Sequence, residues 1–385
     1  MNLLERAYEL RGETVENRRF FHTTAEVGLH LPQAMERVRE KLLEYGLKPH
    51  SCGEGVVAEL GQGRPLLLLR ADLDALPMPE ESGLDFACTT GHAHACGHDC
   101  HGAMLLTAAK LLKERENELH GTVRLLFQPG EETFQGARSM IAAGALEPKP
   151  DAALALHVAA GLMEPGVLLY HEAPTPMLFS VDGFTVTIHG RGAHGAYPHL
   201  AVDPIHIGVQ IYQALQGLLA RERDPAKACI LSVGQFQAGS APNIIPETAT
   251  LRGTLRTNDE AQRALLTRRL TEVCCATAAL YGGSAQVQWD CRVPALSCDP
   301  ALVRQLVDYA AELPGLQVQG GAQGSASEDF ACIAGQVPSA FFYLTAGFSD
   351  ERGKAAAHNP RVQFHEDVLP LGAAVYAHCA LRYLK

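Results

Sequence analysis

The chain has 385 residues, more than one compact hydrophobic core usually supports, and its length therefore predicts two domains. Its 43 acidic residues outnumber the 32 basic ones and give a formal charge of −11, which argues against binding to nucleic acid or to anionic membranes. No apolar run has the length of a signal peptide or of a membrane-spanning helix, so we expect a cytoplasmic protein whose 11 cysteines are mostly reduced thiols.

The first half of the chain alternates helix and strand patterns. An amphipathic helix is predicted at 32–46 and an apolar helix at 102–115. Strands are predicted at 56–60, 65–69, 122–127 and 152–156. The first two of these strands are joined by a predicted turn at 61–63. Strands that alternate with helices favour a largely parallel sheet that is covered on both faces.

The pattern changes near Val181. From there the order is strand, helix, strand, strand, helix and strand, at 184–188, 204–219, 228–236, 248–255, 259–281 and 285–289. This β-α-β-β-α-β order is typical of a ferredoxin-like α+β domain. Helices and strands alternate again from Val293, with a buried strand at 339–344. We therefore predict a mixed α/β domain made of residues 1–180 and 293–385, interrupted by an α+β domain at 181–292.

The densest group of candidate metal ligands lies in one short segment. Six side chains within it could bind a metal through nitrogen or sulfur: His92, His94, Cys96, His98, Cys100 and His101. Imidazole and thiolate both suit zinc and the neighbouring first-row metals. A surface histidine cluster without function is the alternative, but the density of the group favours a metal site.

Polar side chains also follow three of the predicted buried strands. They are Asp72 and Asp74 after 65–69, Glu131 and Glu132 after 122–127, and His157 after 152–156. In open α/β sheets, sites form outside the carboxyl ends of the strands. Because a hydrophobic strand does not need such an ending, the pattern indicates an active site. Of two adjacent glutamates, one can bind a metal while the other faces a water molecule.

A third motif is rejected on its context. The segment 190–195 fits the G-x-G-x-x-G pattern of dinucleotide sites. However, Tyr197 and Pro198 interrupt the helix that should follow, and no acidic residue ends the next strand. We interpret the segment as a functional loop that binds no nucleotide.

Four longer motifs occur in order: Arg-Ala-Asp-Leu-Asp-Ala-Leu-Pro at 70–77, His-Ala-Cys-Gly-His-Asp-Cys-His at 94–101, Phe-Gln-Pro-Gly-Glu-Glu at 127–132 and His-Asn-Pro at 358–360. Shorter matches lie at 192–194, 203–205, 242–246 and 327–330. Together they resemble the aminoacylase-type metallopeptidase family, in its branch of hippurate hydrolases, N-acyl-amino-acid amidohydrolases and plant auxin-conjugate hydrolases. The chain departs from the usual pattern of this branch at Ala25, Val362 and His365, none of which is a proposed ligand.

The resemblance implies a catalytic domain interrupted by a lid or dimerisation domain, and a site for two divalent metal ions. Manganese or zinc would be preferred, and cobalt or nickel would also suit the ligands. Cys96 would bridge both ions. Glu132 and His358 would complete the shell of one ion, and His98 and His157 the shell of the other.

The resemblance also suggests roles for residues that are not ligands. Glu131 would be the general base, and Asp72 would orient a ligand imidazole. His194 would reach the active site of a partner subunit in a homodimer. Asn243 would hold the carboxylate of the substrate, with Arg256 as a second candidate for that role.

The function that follows is hydrolysis of the amide bond of a small-molecule N-acyl amino acid, which gives a carboxylic acid and a free amino acid. A metal-dependent dipeptidase or carboxypeptidase is the alternative among enzymes, although the Cys-Gly-His motif favours the acyl-amino-acid branch. A non-catalytic metal-binding relative is opposed by Glu131, since binding alone needs no base. A thiol-based metal buffer would leave the two glutamates and His358 unexplained.

Overall fold

The computed structural model describes residues 2–385. Contacts divide the chain into two compact units. The first unit contains the described residues up to Met177, together with Ser297–Gln323 and Asp329–Lys385, and the second contains Leu178–Leu296 and Gly324–Glu328. The boundaries proposed from the sequence, at 181 and 292, both fall inside the second unit. The short segment 324–328 has no counterpart in the predicted scheme, and it joins the second unit through a bridge between Leu178 and Gly324.

The strands and helices are numbered here in chain order. The strands are β1 (His50–Cys52), β2 (Gly55–Gly61), β3 (Leu66–Asp72), β4 (Thr122–Gln128), β5 (Ala152–Ala159), β6 (Val167–Tyr170), β7 (Val181–His189), β8 (Ala193–His194), β9 (Cys229–Ala238), β10 (Ile244–Ile245), β11 (Thr248–Thr257), β12 (Ser284–Val293), β13 (Gln317–Gly320) and β14 (Ser339–Thr345). The helices are α1 (Leu3–Glu9), α2 (Arg11–Thr23), α3 (Pro32–Glu44), α4 (His98–Glu114), α5 (Gly136–Ala142), α6 (Pro204–Arg221), α7 (Glu260–Leu280), α8 (Pro300–Ala310), α9 (Ala331–Ala334) and α10 (Leu369–Tyr383). Short 3₁₀ helices lie at Glu116–Glu118, Pro198–Leu200, Glu351–Lys354 and Glu366–Val368.

The first unit is built on an eight-stranded sheet with the order β1-β2-β4-β3-β5-β14-β6-β13. Its four central strands, β4, β3, β5 and β14, are mutually parallel. At one end of this group β2 pairs antiparallel with β4, and at the other end β6 pairs antiparallel with β14. Every residue of β3 and β4 is buried, so both faces of the sheet are covered at its centre. The predicted turn at 61–63 joins two strands that are not neighbours, because β4 lies between β2 and β3.

The second unit contains a four-stranded antiparallel sheet with the order β12-β7-β11-β9. The helices α6 and α7 pack on it around a separate core that includes Phe184, Ile211, Leu251 and Leu270. This arrangement is the predicted ferredoxin-like one. The predicted fold class, a mixed and largely parallel covered sheet interrupted by an α+β domain, is confirmed.

Two predicted ends of elements are wrong in ways that matter for the site. The strand predicted at 152–156 continues to Ala159, because β5 pairs with β14 from Ala153 to Ala159, so His157 lies within the strand. The helix predicted to begin at residue 102 begins at His98, which places His98 and His101 on its first turn. Across residues 2–385, no helix combines the length and apolar character needed to span a bilayer.

Candidate metal centre

Gly97 determines how the first two candidate ligands are presented. Its φ of 93° is left-handed, and a Cβ at this position would lie 2.4 Å from a methyl group of Val158 and 2.9 Å from the ring of Phe364. Only glycine fits there without strain. The chain therefore turns sharply after Cys96, and α4 begins at His98.

His98 presents one ring nitrogen to the site. The side chain is fully buried, and its Nδ1 lies 2.8 Å from the backbone carbonyl of Asp74. Because a carbonyl only accepts hydrogen bonds, Nδ1 carries a proton, and Nε2 is the ring nitrogen that can face a metal ion. Within residues 2–385 this Nε2 atom has no hydrogen-bond partner. An unpaired buried ring nitrogen is what a metal ligand needs.

The charges around His98 favour a cation. Burial opposes protonation of this imidazole, but the charge of the Asp72 carboxylate, followed by the interaction with Cys96, outweighs burial and raises the pKa of His98 well above its ordinary value. Burial raises the pKa of the Cys96 thiol itself to about 12. Without a cation the thiol therefore keeps its proton, and a bound metal ion would make it a thiolate.

His157 faces Cys96 from β5. Its Nε2 lies 3.5 Å from the Sγ of Cys96, and its Nδ1 donates to the backbone carbonyl of Val158 at 2.7 Å. Burial, followed by the neighbouring His101 ring, holds the pKa of His157 well below its ordinary value. The ring is therefore neutral, with Nε2 free to act as a ligand.

Glu132 and His358 approach from the other side. The Glu132 Oε1 atom lies 3.3 Å from Nε2 of His358 and 4.0 Å from Nε2 of His98. His358 has a left-handed φ of 64° and is held by a 2.8 Å hydrogen bond from its backbone N–H to the carbonyl of Ala95. Such a conformation is unusual for a residue other than glycine and is common at functional sites.

The five candidate ligands form two groups that share one thiol. Cys96 lies with His98 and His157 in one group and with Glu132 and His358 in the other, and within each group the ligand atoms are all within 4.8 Å of one another. The structure thus brings together the residues that the sequence nominated as ligands.

Glu131 lies beside these groups. It is only 5% exposed, and its carboxylate lies in a third group with His98 and Glu132. Its Oε1 accepts the backbone N–H of Asp329 at 3.3 Å. A buried carboxylate next to a possible metal site can accept a proton from a water molecule there.

The sequence placed Asp74 at the predicted active site but gave it no role, and the structure shows three partners for it in the centre. Its side-chain oxygens accept the backbone N–H of Glu131 at 2.9 Å and of Glu132 at 3.0 Å. Its backbone carbonyl holds His98, as described above. The position of Asp74 two residues after Asp72, at the end of a buried strand, was the available signal in the sequence.

Asp72 has a different partner from the one expected. One carboxylate oxygen lies 2.5 Å from Nδ1 of His101, which is not among the five ligands that the resemblance implies, and the other accepts from Arg70 at 2.7 Å. The second oxygen is 3.8 Å from Nε2 of His98. Burial opposes ionisation of Asp72, but Arg70 and the two histidines hold its pKa well below the usual range.

Three nominated residues lie in the second unit. His194 is exposed on β8, which pairs with β10. Asn243 directly precedes β10, and its backbone carbonyl accepts the N–H of Gly195 at 2.8 Å. His194 and Asn243 are therefore neighbours. Arg256 is half-buried on β11 and donates to the hydroxyl of Ser327 at 2.8 Å, and burial lowers its pKa.

Comparisons with known proteins identify the family of the chain. Residues 68–382 match peptidase family M20/M25/M40. The chain is 38% identical over 347 residues to the N-acetyl-L-cysteine deacetylase of Bacillus subtilis, covering 89% of this chain and 82% of that protein. It is 35% identical over 376 residues to IAA-amino acid hydrolase ILR1-like 4 of Arabidopsis thaliana, covering 95% and 84%.

A solved structure extends the similarity to the fold. The YXEP protein of Bacillus subtilis, described as a dinuclear metal binding peptidase of the M20 family, matches with a TM-score of 0.81 and 30% sequence identity, over 98% of this chain and 99% of that one. The chain therefore belongs to peptidase family M20/M25/M40, and its predicted membership of the amidohydrolase branch is confirmed.

Proposed function

We propose that this protein is a dinuclear metal-dependent amidohydrolase that cleaves the amide bond of N-acyl amino acids. The observation that carries the proposal is the position of Cys96, whose thiol belongs to both groups of ligand atoms. One thiolate shared in this way suits a pair of ions better than a single ion. Two-metal sites with closely spaced ions are common among hydrolases of amides and esters.

The side chains of the centre fit a pair of divalent ions. Nε2 of His98 and Oε1 of Glu132 are both buried and make no hydrogen bond within the described part of the chain. The Nδ1 atoms of His98 and His157 donate to backbone carbonyls, which directs the second nitrogen of each ring inward. Mixed sulfur, nitrogen and oxygen ligands suit manganese, zinc, cobalt and nickel.

The proposed mechanism assigns the proton transfers to Glu131. Two ions held by the five candidate ligands would supply Lewis-acid chemistry, which would polarise the amide carbonyl and lower the pKa of a water molecule at the site. Glu131 takes the proton from this water as it attacks the carbonyl carbon, and then gives the proton to the leaving amine nitrogen. Asp74 keeps Glu131 in place through the 2.9 Å bond to its backbone N–H.

We assign substrate contacts to residues of the second unit. Asn243 holds the carboxylate of the amino acid, and the half-buried guanidinium of Arg256 is the second candidate. His194 donates to the carbonyl oxygen as negative charge develops on it, in the active site of a partner subunit. His194 pairs with Ile244, which directly follows Asn243, and this proximity supports a shared function.

We also propose that the protein is a homodimer. The strand β9 lies at the edge of its sheet and leaves one row of backbone groups without a strand partner. Beside it, Val209, Tyr212 and Phe236 are each at least 40% exposed. An open strand edge next to exposed apolar side chains is suited to pairing with the same edge of a second copy.

The relatives indicate which substrates to test. One is named for removing acetyl from N-acetyl-L-cysteine and another for hydrolysing IAA-amino acid conjugates. Both substrates are amides between a carboxylic acid and the α-amino group of an amino acid. We propose this bond as the substrate class of the present protein, with the acyl group left to experiment.

The test is release of free amino acid from N-acetyl-L-cysteine, hippurate and indole-3-acetyl amino acids by protein supplied with Mn²⁺ or Zn²⁺. Glu131→Gln is the matched control, because it keeps the size of the side chain and removes the base. We expect cleavage of at least one acyl amino acid, with turnover reduced by at least about 10²-fold in the control.

Other outcomes would replace the proposal. Faster cleavage of free dipeptides or of the C-terminal residue of peptides would favour the dipeptidase or carboxypeptidase alternative. Two bound ions without turnover of any substrate would favour a non-catalytic metal-binding protein. A Glu131→Gln variant that keeps the wild-type rate would remove Glu131 as the general base.

A further inference from the structure

The strands β3 and β5 separate at the site. They pair only as far as Ala155, although β5 continues beyond it. From that point, the β5 backbone N–H groups on the side of β3 donate to side chains. The N–H of Leu156 donates to the hydroxyl of Tyr376 at 2.7 Å, and the N–H of Val158 donates to Nε2 of His101 at 2.8 Å.

The two partners of His101 define its protonation. Because Nε2 accepts a hydrogen bond from Val158, it carries no proton, and the ring proton lies on Nδ1. Nδ1 donates to Asp72 at 2.5 Å, and the other oxygen of Asp72 accepts from Arg70 at 2.7 Å. His101 and Asp72 are both 0% exposed. The imidazole is therefore neutral and held from both sides.

Val158 connects His101 to a candidate ligand. Its N–H donates to His101, while its carbonyl accepts from Nδ1 of His157 at 2.7 Å. The ring centroids of His101 and His157 lie 4.4 Å apart in an edge-on arrangement. The carbonyl keeps the proton of His157 on Nδ1, which leaves Nε2 directed at Cys96.

We propose that His101 is a positioning residue, which acts through Val158 to fix the orientation and tautomer of His157 and so strengthens binding of the ion held by His157 and His98. The inference rests on the proposed dinuclear function. Partners that orient a metal ligand without touching the metal typically contribute about 10–100-fold to metal affinity. His101 would make this contribution through one backbone residue.

Two substitutions separate the bonds that His101 makes. In His101→Gln, the amide oxygen reaches the position of Nε2 and can still accept the N–H of Val158. In His101→Asn, the shorter amide reaches only the position of Nδ1, so the bond to Asp72 can form and the bond to Val158 is lost. His171→Asn is the control, because His171 is a buried histidine of the same unit whose Nε2 bonds to Thr175.

The measurement is calorimetric titration of the metal-free protein with Zn²⁺, accompanied by denaturant unfolding of each metal-free variant. A Co²⁺ titration reports sulfur coordination through the thiolate-to-metal charge-transfer band. We expect wild type, His101→Gln and His171→Asn to bind two ions with similar affinities. His101→Asn should bind one ion about 10–100-fold more weakly and keep its affinity for the other.

Equal Zn²⁺ affinities in His101→Asn and His101→Gln would overturn the inference and leave the proposed function standing. A His101→Asn variant that binds both ions more weakly, in proportion to its loss of folding stability, would also overturn the inference and leave the proposed function standing. Wild-type protein that binds fewer than two ions would overturn the proposed function and this inference together.

A second measurement applies if His101→Asn does not fold. The ¹⁵N–¹H correlation spectrum of histidine-labelled, metal-free wild-type protein reports the tautomer of each ring. We expect the proton on Nδ1 for both His101 and His157. A proton on Nε2 of His101 at neutral pH would refute the proposal.

Discussion

The Asp74 carboxylate is 1% exposed and accepts two backbone N–H groups, from Glu131 at 2.9 Å and from Glu132 at 3.0 Å. A hydrogen bond to a charged group contributes about 1.5–3 kcal/mol. Asp74→Ala removes both bonds and leaves two donors without a partner. We therefore expect the free energy of unfolding of the metal-free protein to fall by about 3–6 kcal/mol, as measured in guanidinium chloride.

Two further variants make this test specific. Asp299→Ala removes a helix-capping carboxylate that accepts one N–H, from Leu302 at 2.8 Å, and should lower the unfolding free energy by only about 1 kcal/mol. Asp74→Asn keeps one acceptor oxygen and should lie between Asp74→Ala and wild type. If Asp74→Ala costs no more than Asp299→Ala, Asp74 does not hold the glutamate pair as described.

Three other predictions concern folding stability, each measured as a free energy of unfolding. Gly97→Ala and Gly63→Ala should each cost about 1–2 kcal/mol, because both glycines have a left-handed φ. Gly97→Ala should cost more, because an added Cβ at Gly97 lies 2.4 Å from a neighbouring methyl group, whereas one at Gly63 has nothing within 4 Å. Equal losses in the two variants would contradict this. Burial opposes protonation of His22, but the hydrogen bond to Asp99 helps to raise its pKa from 6.5 to about 9. Protonated His22 therefore stabilises the folded state, fully below pH 6.5, and this contribution is lost as the pH rises to 9. This loss of unfolding free energy, on the order of 3 kcal/mol, should be absent in His22→Asn. The same pH dependence of stability in wild type and His22→Asn would refute the prediction. Tyr376→Phe removes a hydroxyl that bridges β3 and β5 with two 2.7 Å bonds and should cost about 1–3 kcal/mol, whereas unchanged stability would show that the bridge is dispensable.

The local elements could be predicted from the sequence, whereas the order of the strands could not. Apolar runs and glycine-ended helices gave most elements to within a few residues. However, the sequence at 61–63 is compatible with a hairpin of β2 and β3. Only the position of β4 excludes that hairpin, because β4 lies some sixty residues further along the chain and pairs with both strands. In the same way, β5 extends past His157 because β14 pairs with it, and that partner is remote in sequence.

Four of the candidate ligands were suggested by their positions: Glu132 and His157 were predicted to follow buried strands, and Cys96 and His98 lie where a helix begins. His358 was named only through the family resemblance. The supporting bonds were not recognisable. Asp74 bonds to backbone N–H groups 57 and 58 residues away, and His101 accepts from a backbone N–H 57 residues away. Backbone donors have no signature in the sequence, so the roles of Asp74 and His101 required the structure.

The central claim is that one thiol joins two metal sites. The most direct measurement is a crystal structure of the zinc-loaded protein with anomalous diffraction. We expect two peaks, each about 2.3 Å from the Sγ of Cys96, with His98 and His157 at one and Glu132 and His358 at the other. A single peak, or a second peak that does not contact Cys96, would contradict the account.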